Sequence, residues 1–148
     1  KLPICRQLSK WSQNTLMNIE DKTRLFQQIR RVLRPGGIFA FETVLAGTTP
    51  DIHFPVFWAD SPALSFLPKP SELKGQLSSA GLRETAWEDT TARSIANQRK
   101  RKGAIQRDGP PVLGLGVIVP KDVLAKIDNV LRNSEESRTM TAQAVYTV

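Results

Sequence analysis

Residues Leu25 to Gly47 read LFQQIRRVLRPGGIFAFETVLAG, and this stretch decides the fold. Leu25, Phe26, Ile29, Val32 and Leu33 recur every three to four residues, the pattern of a helix with one apolar face. Arg24, Gln27, Gln28, Arg31 and Arg34 fall largely on the other face. Arg30, Arg31 and Arg34 stand near the helix end, where the negative pole of the dipole favours cations. Pro35 stops the helix, and Gly36-Gly37 give the backbone freedom to turn. In Ile38 to Leu45 only Glu42 and Thr43 are polar, and near-continuous apolar runs of this kind belong to strands covered on both faces. Helix, Pro-Gly-Gly turn and buried strand make one αβ step of an α/β sheet.

Upstream, polar residues interrupt every apolar pair from Lys1 to Lys10, so residues 1–10 form an unpatterned lead with no buried strand. Trp11 to Ile19 mixes polar and apolar residues without a clear period. Asn18 or Asp21 caps the helix, and Glu20 and Asp21 suit its first turn.

Downstream, Gly47 to Pro70 is irregular. It holds Pro50, Pro55, Pro62, Pro68 and Pro70 among Phe54, Phe57, Trp58 and Phe66. Segments this long are lids, binding loops or disordered. The aromatic residues argue against disorder, so residues 48–70 are expected to form a lid or acceptor-binding segment. Ser71 caps a helix over Glu72 to Ala80, ended by Gly81. Leu82 to Thr90 alternates as a strand. Thr91 to Gln106 is a basic helix, broken by Asp108-Gly109-Pro110-Pro111. Val112 to Val119 is apolar but rich in glycine. Pro120 to Arg132 makes another helix, with Val123, Leu124, Ile127, Val130 and Leu131 on one side. Thr139 to Val148 alternates as a final strand. The expected order is helix, strand, lid, helix, strand, helix, helix, strand, which implies helices packed on an α/β sheet.

The chain has 148 residues, 40% apolar and 24% charged, enough for one domain with one core. No apolar run reaches the roughly 18 residues of a spanning helix, and a cytoplasmic protein is the expectation. Cys5 is the single cysteine. It excludes an internal disulfide framework and a multi-cysteine metal site, and reads as an idle or structural thiol; no metal ligand set is expected. The net charge of +7 raises the question of nucleic acid. Arg99-Lys100-Arg101-Lys102 concentrates it, flanked by Arg93 and Arg107. No aromatics interleave with this run, so the stacking half of a single-strand platform is absent and nucleic acid is not expected. The run is either a solvated helix face or a contact for an anionic partner or substrate.

Trp11-Ser12-Gln13-Asn14, Met17-Asn18-Ile19-Glu20-Asp21-Lys22 and Arg31-Val32-Leu33-Arg34-Pro35-Gly36-Gly37 together resemble the second half of a class I S-adenosylmethionine-dependent methyltransferase of the small-molecule, type 11-like group. Phe54-Pro55 and Trp58-Ala59 resemble that family's lid. Ala80-Gly81-Leu82 with Trp87-Glu88-Asp89 resembles its last helix and strand six. Asn129 with Arg132-Asn133-Ser134-Glu135-Glu136-Ser137-Arg138 resembles the approach to strand seven. The likeness covers residues 11–148. It implies a partial Rossmann-like methyltransferase fold: a helix and strands five to seven with a lid, the cofactor-binding first half missing. The departures are specific. The family holds its cofactor through a Gly-rich loop and an acidic residue ending its second strand. No G-x-G-x-x-G occurs here, and the family's apolar strand four is replaced by Arg6-Gln7-Leu8-Ser9-Lys10. Asn18 stands where the family often has histidine.

By this resemblance, Ser12, Gln13 and Asn14 are the cofactor-binding candidates, for S-adenosylmethionine. Asn18, His53, Phe54 and Trp58 are the candidates for binding a small methyl acceptor. The same loop is also read as an ordinary capping loop, His53 as an exposed loop histidine, and Phe54, Phe57 and Trp58 as packing for the lid. Glu42 and Thr43 lie at the strand end where open α/β sheets put ligands. No residue is assigned to catalysis. The expected function is methyl transfer to an amine, hydroxyl or quinone-type acceptor, with weak cofactor binding and no turnover by this fragment alone. The alternative is a non-enzymatic module that uses residues 99–102 on an anionic partner. An uncovered sheet edge predicts a homodimer.

Overall fold

The computed structural model describes residues 7–109 and 122–148. Cys5, the apolar run at 112–119 and the start of the helix at Pro120 lie outside the described residues. Strand β1 (Gln7–Gln13) leads through a short 3₁₀ turn (Leu16–Asn18) to helix α1 (Lys22–Val32) and strand β2 (Leu33–Ala46). An irregular segment with one 3₁₀ turn (Pro62–Leu64) follows, then helix α2 (Pro70–Ser79) and strand β3 (Arg83–Asp89). Helix α3 (Thr91–Asp108), helix α4 (Val123–Glu135) and strand β4 (Thr139–Thr147) complete the order.

The strands form one four-stranded sheet, β1-β2-β4-β3, in which β1 runs parallel to β2 and β4 runs antiparallel to both its neighbours. This α/β sheet with its helices agrees with the partial Rossmann-like fold expected.

Residues 7–10 are strand, not an unpatterned lead. Their composition hid this because β1 is an edge strand and mostly exposed, so it needs no apolar run. Helix α1 starts at Lys22, so Glu20 and Asp21 precede it rather than sit in its first turn. Asp21 is the cap, its carboxylate accepting from the Arg24 N–H at 2.8 Å, and the first turn itself carries no acid. Strand β2 begins at Leu33 and runs through Pro35-Gly36-Gly37, because the end of the chain keeps the ladder alive there. Gly36 N–H donates to Val148 O, and Val148 N–H donates to Gly37 O, both at 3.0 Å. Gly36 has φ +74°, a conformation that only glycine takes without strain. Ser71 is inside α2 rather than capping it. Pro70 opens the helix, and Glu72 accepts from the Lys69 N–H at 2.9 Å.

One face of the sheet carries the main core. Phe39, Phe41, Leu45, Ala142, Ala144 and Tyr146 point to it, and Phe26 of α1 with Leu73 and Leu77 of α2 cover them. Phe41 stacks on Tyr146 at 5.9 Å between ring centroids and meets Trp87 edge-on at 6.4 Å. Burying a side chain of this size contributes roughly 2–3 kcal/mol each. Helices α3 and α4 lie on the opposite face, near the carboxyl end of β2.

The irregular segment 47–69 is tied down at both sides. Lys22 is buried, and its ammonium donates to Ile19 O at 2.7 Å and to Phe66 O at 2.6 Å. Burial holds its pKa below the ordinary lysine value. Helix α4 grips the rest. Lys126 meets Asp60 at 2.7 Å, the Asn129 amide donates to Pro55 O at 3.0 Å, and Asn133 exchanges two bonds with the His53 backbone. Val56, Ala59 and Val130 form a second apolar cluster under it, with Ile52, Phe54, Phe57 and Trp58 packed around. Among the described residues, no helix is long and apolar enough to cross a membrane.

Candidate functional site

Parallel strands place their carboxyl ends on the same side, and open α/β sheets collect ligands there. β1 does so at Gln13, which pairs in register with Glu42 of β2. The chain leaves β1 by a left-handed residue, Asn14 at φ 49°, whose N–H donates to Glu42 O at 2.9 Å. Asparagine tolerates this backbone better than most side chains. The turn holds the loop 14–18 over the end of β2.

Below this loop is a cavity of about 380 Å³, within the size range of small-molecule sites. Asn14, Met17 and Asn18 form its roof, and Glu42 and Val44 of β2 with Thr139 and Thr141 of β4 form its floor. Phe57 and Trp58 of the irregular segment close one side. Ser94, Gln98 and Arg101 of α3 and Val130 and Ser134 of α4 close the other. A smaller space of about 190 Å³ continues along α3 past Thr90, Arg93 and Asn97.

The polar wall is ordered by bonds behind it. Glu42 accepts from the Gln143 amide at 2.5 Å, and Ser134 Oγ donates to Val130 O at 3.1 Å. Trp58 Nε1 donates to Ser65 Oγ at 2.9 Å, which fixes the indole. The Gln98 amide oxygen is buried and has no partner among the described residues. A buried carbonyl oxygen left unbonded costs about 1–3 kcal/mol.

Of the residues picked from sequence, Asn14, Asn18 and Trp58 come together in this cavity. Gln13 ends β1 beside it without lining it. Ser12 pairs with Phe41 and so belongs to the opposite side of the sheet. His53 is elsewhere: its Nε2 lies 3.0 Å from Glu136 Oε2, on the outer side of α4. Phe54 packs in the second apolar cluster, whereas Phe57 and Trp58 both pack against that cluster and wall the cavity. Glu42 lines the cavity, and Thr43 is buried away from it. Sequence reading missed Ser94, Gln98, Ser134 and Thr141, which arrive by tertiary packing. Arg101 was visible only as one of four basic neighbours.

A groove of about 460 Å³ between α2 and β3 is larger but offers less chemistry. Its polar groups, Tyr146, Glu84 and Lys74, already bond one another. Among the described residues no cluster of His, Cys, Asp and Glu is placed to hold a metal ion.

A family profile described as a methyltransferase domain matches residues 10–41, which take in the end of β1 from Lys10, the loop 14–18, α1 and most of β2. No curated protein matches the chain in sequence. Solved structures match in fold. A protein named as a sarcosine dimethylglycine methyltransferase from Galdieria sulphuraria is 13% identical with a TM-score of 0.73, over 97% of this chain and 53% of its own. Phosphoethanolamine N-methyltransferase 2 of Haemonchus contortus, solved with S-adenosyl-L-methionine, is 15% identical with a TM-score of 0.70, over 94% of this chain and 32% of its own. The [4+2]-cyclase SpnF is 19% identical with a TM-score of 0.64, over 98% of this chain and 52% of its own. The chain thus spans about half the length, or less, of the structures it matches. Its fold is part of the Rossmann-like methyltransferase fold that these structures share.

Proposed function

We propose that this chain carries the acceptor side of an S-adenosylmethionine-dependent methyltransferase for a small molecule with an amine, hydroxyl or quinone-type group. The observation that carries this reading is the cavity at the shared carboxyl end of β1 and β2, roofed by Asn14 and Asn18 and walled by Trp58. The match over residues 10–41 supports it, since that segment builds the roof. Fold alone does not, because SpnF, a cyclase, has the same fold.

When bound, S-adenosylmethionine supplies an electrophilic methyl group, and the protein's work is mainly position. Asn14, at the end of β1, is the described residue best set to meet the cofactor, with Gln13 beside it. Ser12 supports the strand from its other face. Asn18 presents an amide that orients a polar acceptor without titrating. Phe57 and Trp58 exclude water, and the Trp58 ring can face a cationic amine. Glu42 offers a carboxylate on the cavity floor for the acceptor's proton. The segment 48–70 acts as the lid over this site, held to α4. The residues present fit only one side of the cofactor, because no G-x-G-x-x-G approaches it.

Titration with S-adenosylhomocysteine, followed by amide resonances, tests the reading. Shifts centred on Asn14 and Asn18, lost in Asn14→Ala, are expected at millimolar ligand. Shifts centred elsewhere, or none, would sink it.

A further inference from the structure

The basic run on α3 is divided by the fold into three duties. Arg99 pairs with Glu135 at 2.6 Å and Lys102 pairs with Asp128 at 2.8 Å, so these two fasten α3 to α4. Lys100 projects into solvent. Arg101 is half-buried, lines the cavity and joins no ion pair among the described residues.

The geometry follows from helix periodicity. Ser94, Gln98 and Arg101 stand at i, i+4 and i+7, one face of α3. This face turns into the cavity, and the two ion pairs join the neighbouring flank of α3 to α4. A guanidinium in a walled cavity is a strong and directional site for an oxyanion, because its fork matches two oxygens at once. One turn away, Gln98 holds an amide oxygen with no donor among the described residues, and rotation about its broad terminal torsion can present that oxygen to the cavity it lines. The nearby Ser94 hydroxyl can serve either role.

We infer that Arg101 selects the substrate: the acceptor of this cavity carries an oxyanion, a carboxylate or phosphate, that meets Arg101, and an N–H or O–H donor that meets Gln98. This rests on the cavity being the acceptor site proposed above. It sharpens that reading from a small polar molecule to an acidic one.

Three probes test it on the chain as it stands: 3-hydroxybenzoate, its uncharged twin 3-hydroxybenzamide, and inorganic phosphate. Binding is read from amide resonances and from the Arg101 Nε–H resonance. We expect the acid to bind roughly tenfold more tightly than the amide, as a charge-assisted bond implies, and to move the Arg101 resonance. Arg101→Gln should erase the preference. Lys100→Gln removes the same charge from the exposed neighbouring position and should keep it. A stronger response to phosphate than to the acid assigns a phosphate ester; the reverse assigns a carboxylic acid. Equal binding of acid and amide, equal loss in Lys100→Gln, or no response to either anion overturns the inference. The wild-type Arg101 resonance answers even if Arg101→Gln fails to fold. Acid selectivity through Arg101 without any response to S-adenosylhomocysteine would refute methyl transfer and leave this site standing.

Discussion

The Tyr146 hydroxyl donates to Glu84 Oε2 at 2.8 Å, joining a buried ring on β4 to a carboxylate on β3 at the edge of the sheet. Burial, then the bond to Glu84, raises the tyrosine pKa well above its ordinary value. For Glu84 burial pushes upward, but the bonds from Tyr146 and Lys74 outweigh it and hold the carboxyl below its usual range. Tyr146 is the only tyrosine in the chain, so alkaline absorbance reads it alone. A raised folded pKa contributes stability that is present below the unfolded value near 10 and is lost as pH climbs above it. The phenolate band is therefore expected to appear only together with unfolding. Gradual ionisation near the ordinary tyrosine pKa, with the circular dichroism unchanged, would contradict this. Tyr146→Phe keeps the ring and should cost about 1 kcal/mol.

Glu136 answers the opposite end of the pH scale. Bonds from Arg132 at 2.6 Å, Arg138 at 2.6 Å and His53 at 3.0 Å draw its pKa from 4.5 down to about 2. A depressed carboxyl stabilises the fold above its unfolded pKa, and that contribution fades as pH falls from about 4.5 towards 2. Thermal melts should show wild type losing stability through this window and Glu136→Gln losing less of it. Since Arg138 also holds Pro50 O and Asp51 O, hydrogen exchange at residues 49–53 should quicken in Glu136→Gln. Parallel acid limbs for the two proteins would count against the role given to Glu136.

The fold was legible where one segment buries its own periodicity. The apolar face around Phe26 and the alternation of Met140 to Tyr146 each read correctly because local pattern and burial agree, whereas the helix ends at Val32, before Pro35, and β2 runs through the proline. β1 was not legible, because an exposed edge strand carries no apolar signature: Leu8 and Trp11 are 56% and 62% exposed. The candidate site was legible at Asn14, Asn18 and Trp58 by resemblance. It was not at His53, whose nearness to Glu136 depends on where α4 packs. Nor was it at Arg101, since periodicity alone cannot say which member of RKRK turns inward until the partners of Arg99 and Lys102 are known.

Glycine positions separate packing from propensity. A Cβ at Gly47 would lie 2.1 Å from Ser137 O, in backbone that bonds Arg138 O to the Gly47 N–H at 2.9 Å. Backbone cannot yield there as a side chain can. Gly47→Ala should therefore cost more than about 3 kcal/mol and displace the chain after β2 from the turn before β4. Gly75 lies within α2 with nothing within 4 Å of its added Cβ. Gly75→Ala should gain about 0.5–1 kcal/mol from helix propensity. Chemical denaturation of both variants gives the comparison, and similar midpoints would remove the argument.

Cofactor affinity should be weak in this chain. Without a Gly-rich loop the backbone lacks the close approach by which such folds hold the ligand. Calorimetry with S-adenosylmethionine is expected to show no micromolar binding. A clear micromolar isotherm would mean that Asn14, Asn18 and their neighbours suffice, and would replace this expectation.

The edge strand gives the last prediction. β1 pairs with β2 on one side, and among the described residues its other edge is unpaired. Register puts Trp11 opposite Ala40 and Ser9 opposite Ile38, so Trp11 and Ile38, 62% and 40% exposed, share one face beside that edge. An unpaired strand edge next to exposed apolar side chains is a template for association. The chain is expected to form a dimer as concentration rises, with β1 as the contact. Trp11→Lys adds charge to that face without touching the core, and should shift the equilibrium towards monomer while leaving the melting temperature of the monomer nearly unchanged. Light scattering across a concentration series decides: a monomer at high concentration in wild type, or a dimer indifferent to Trp11→Lys, would place the association elsewhere or nowhere.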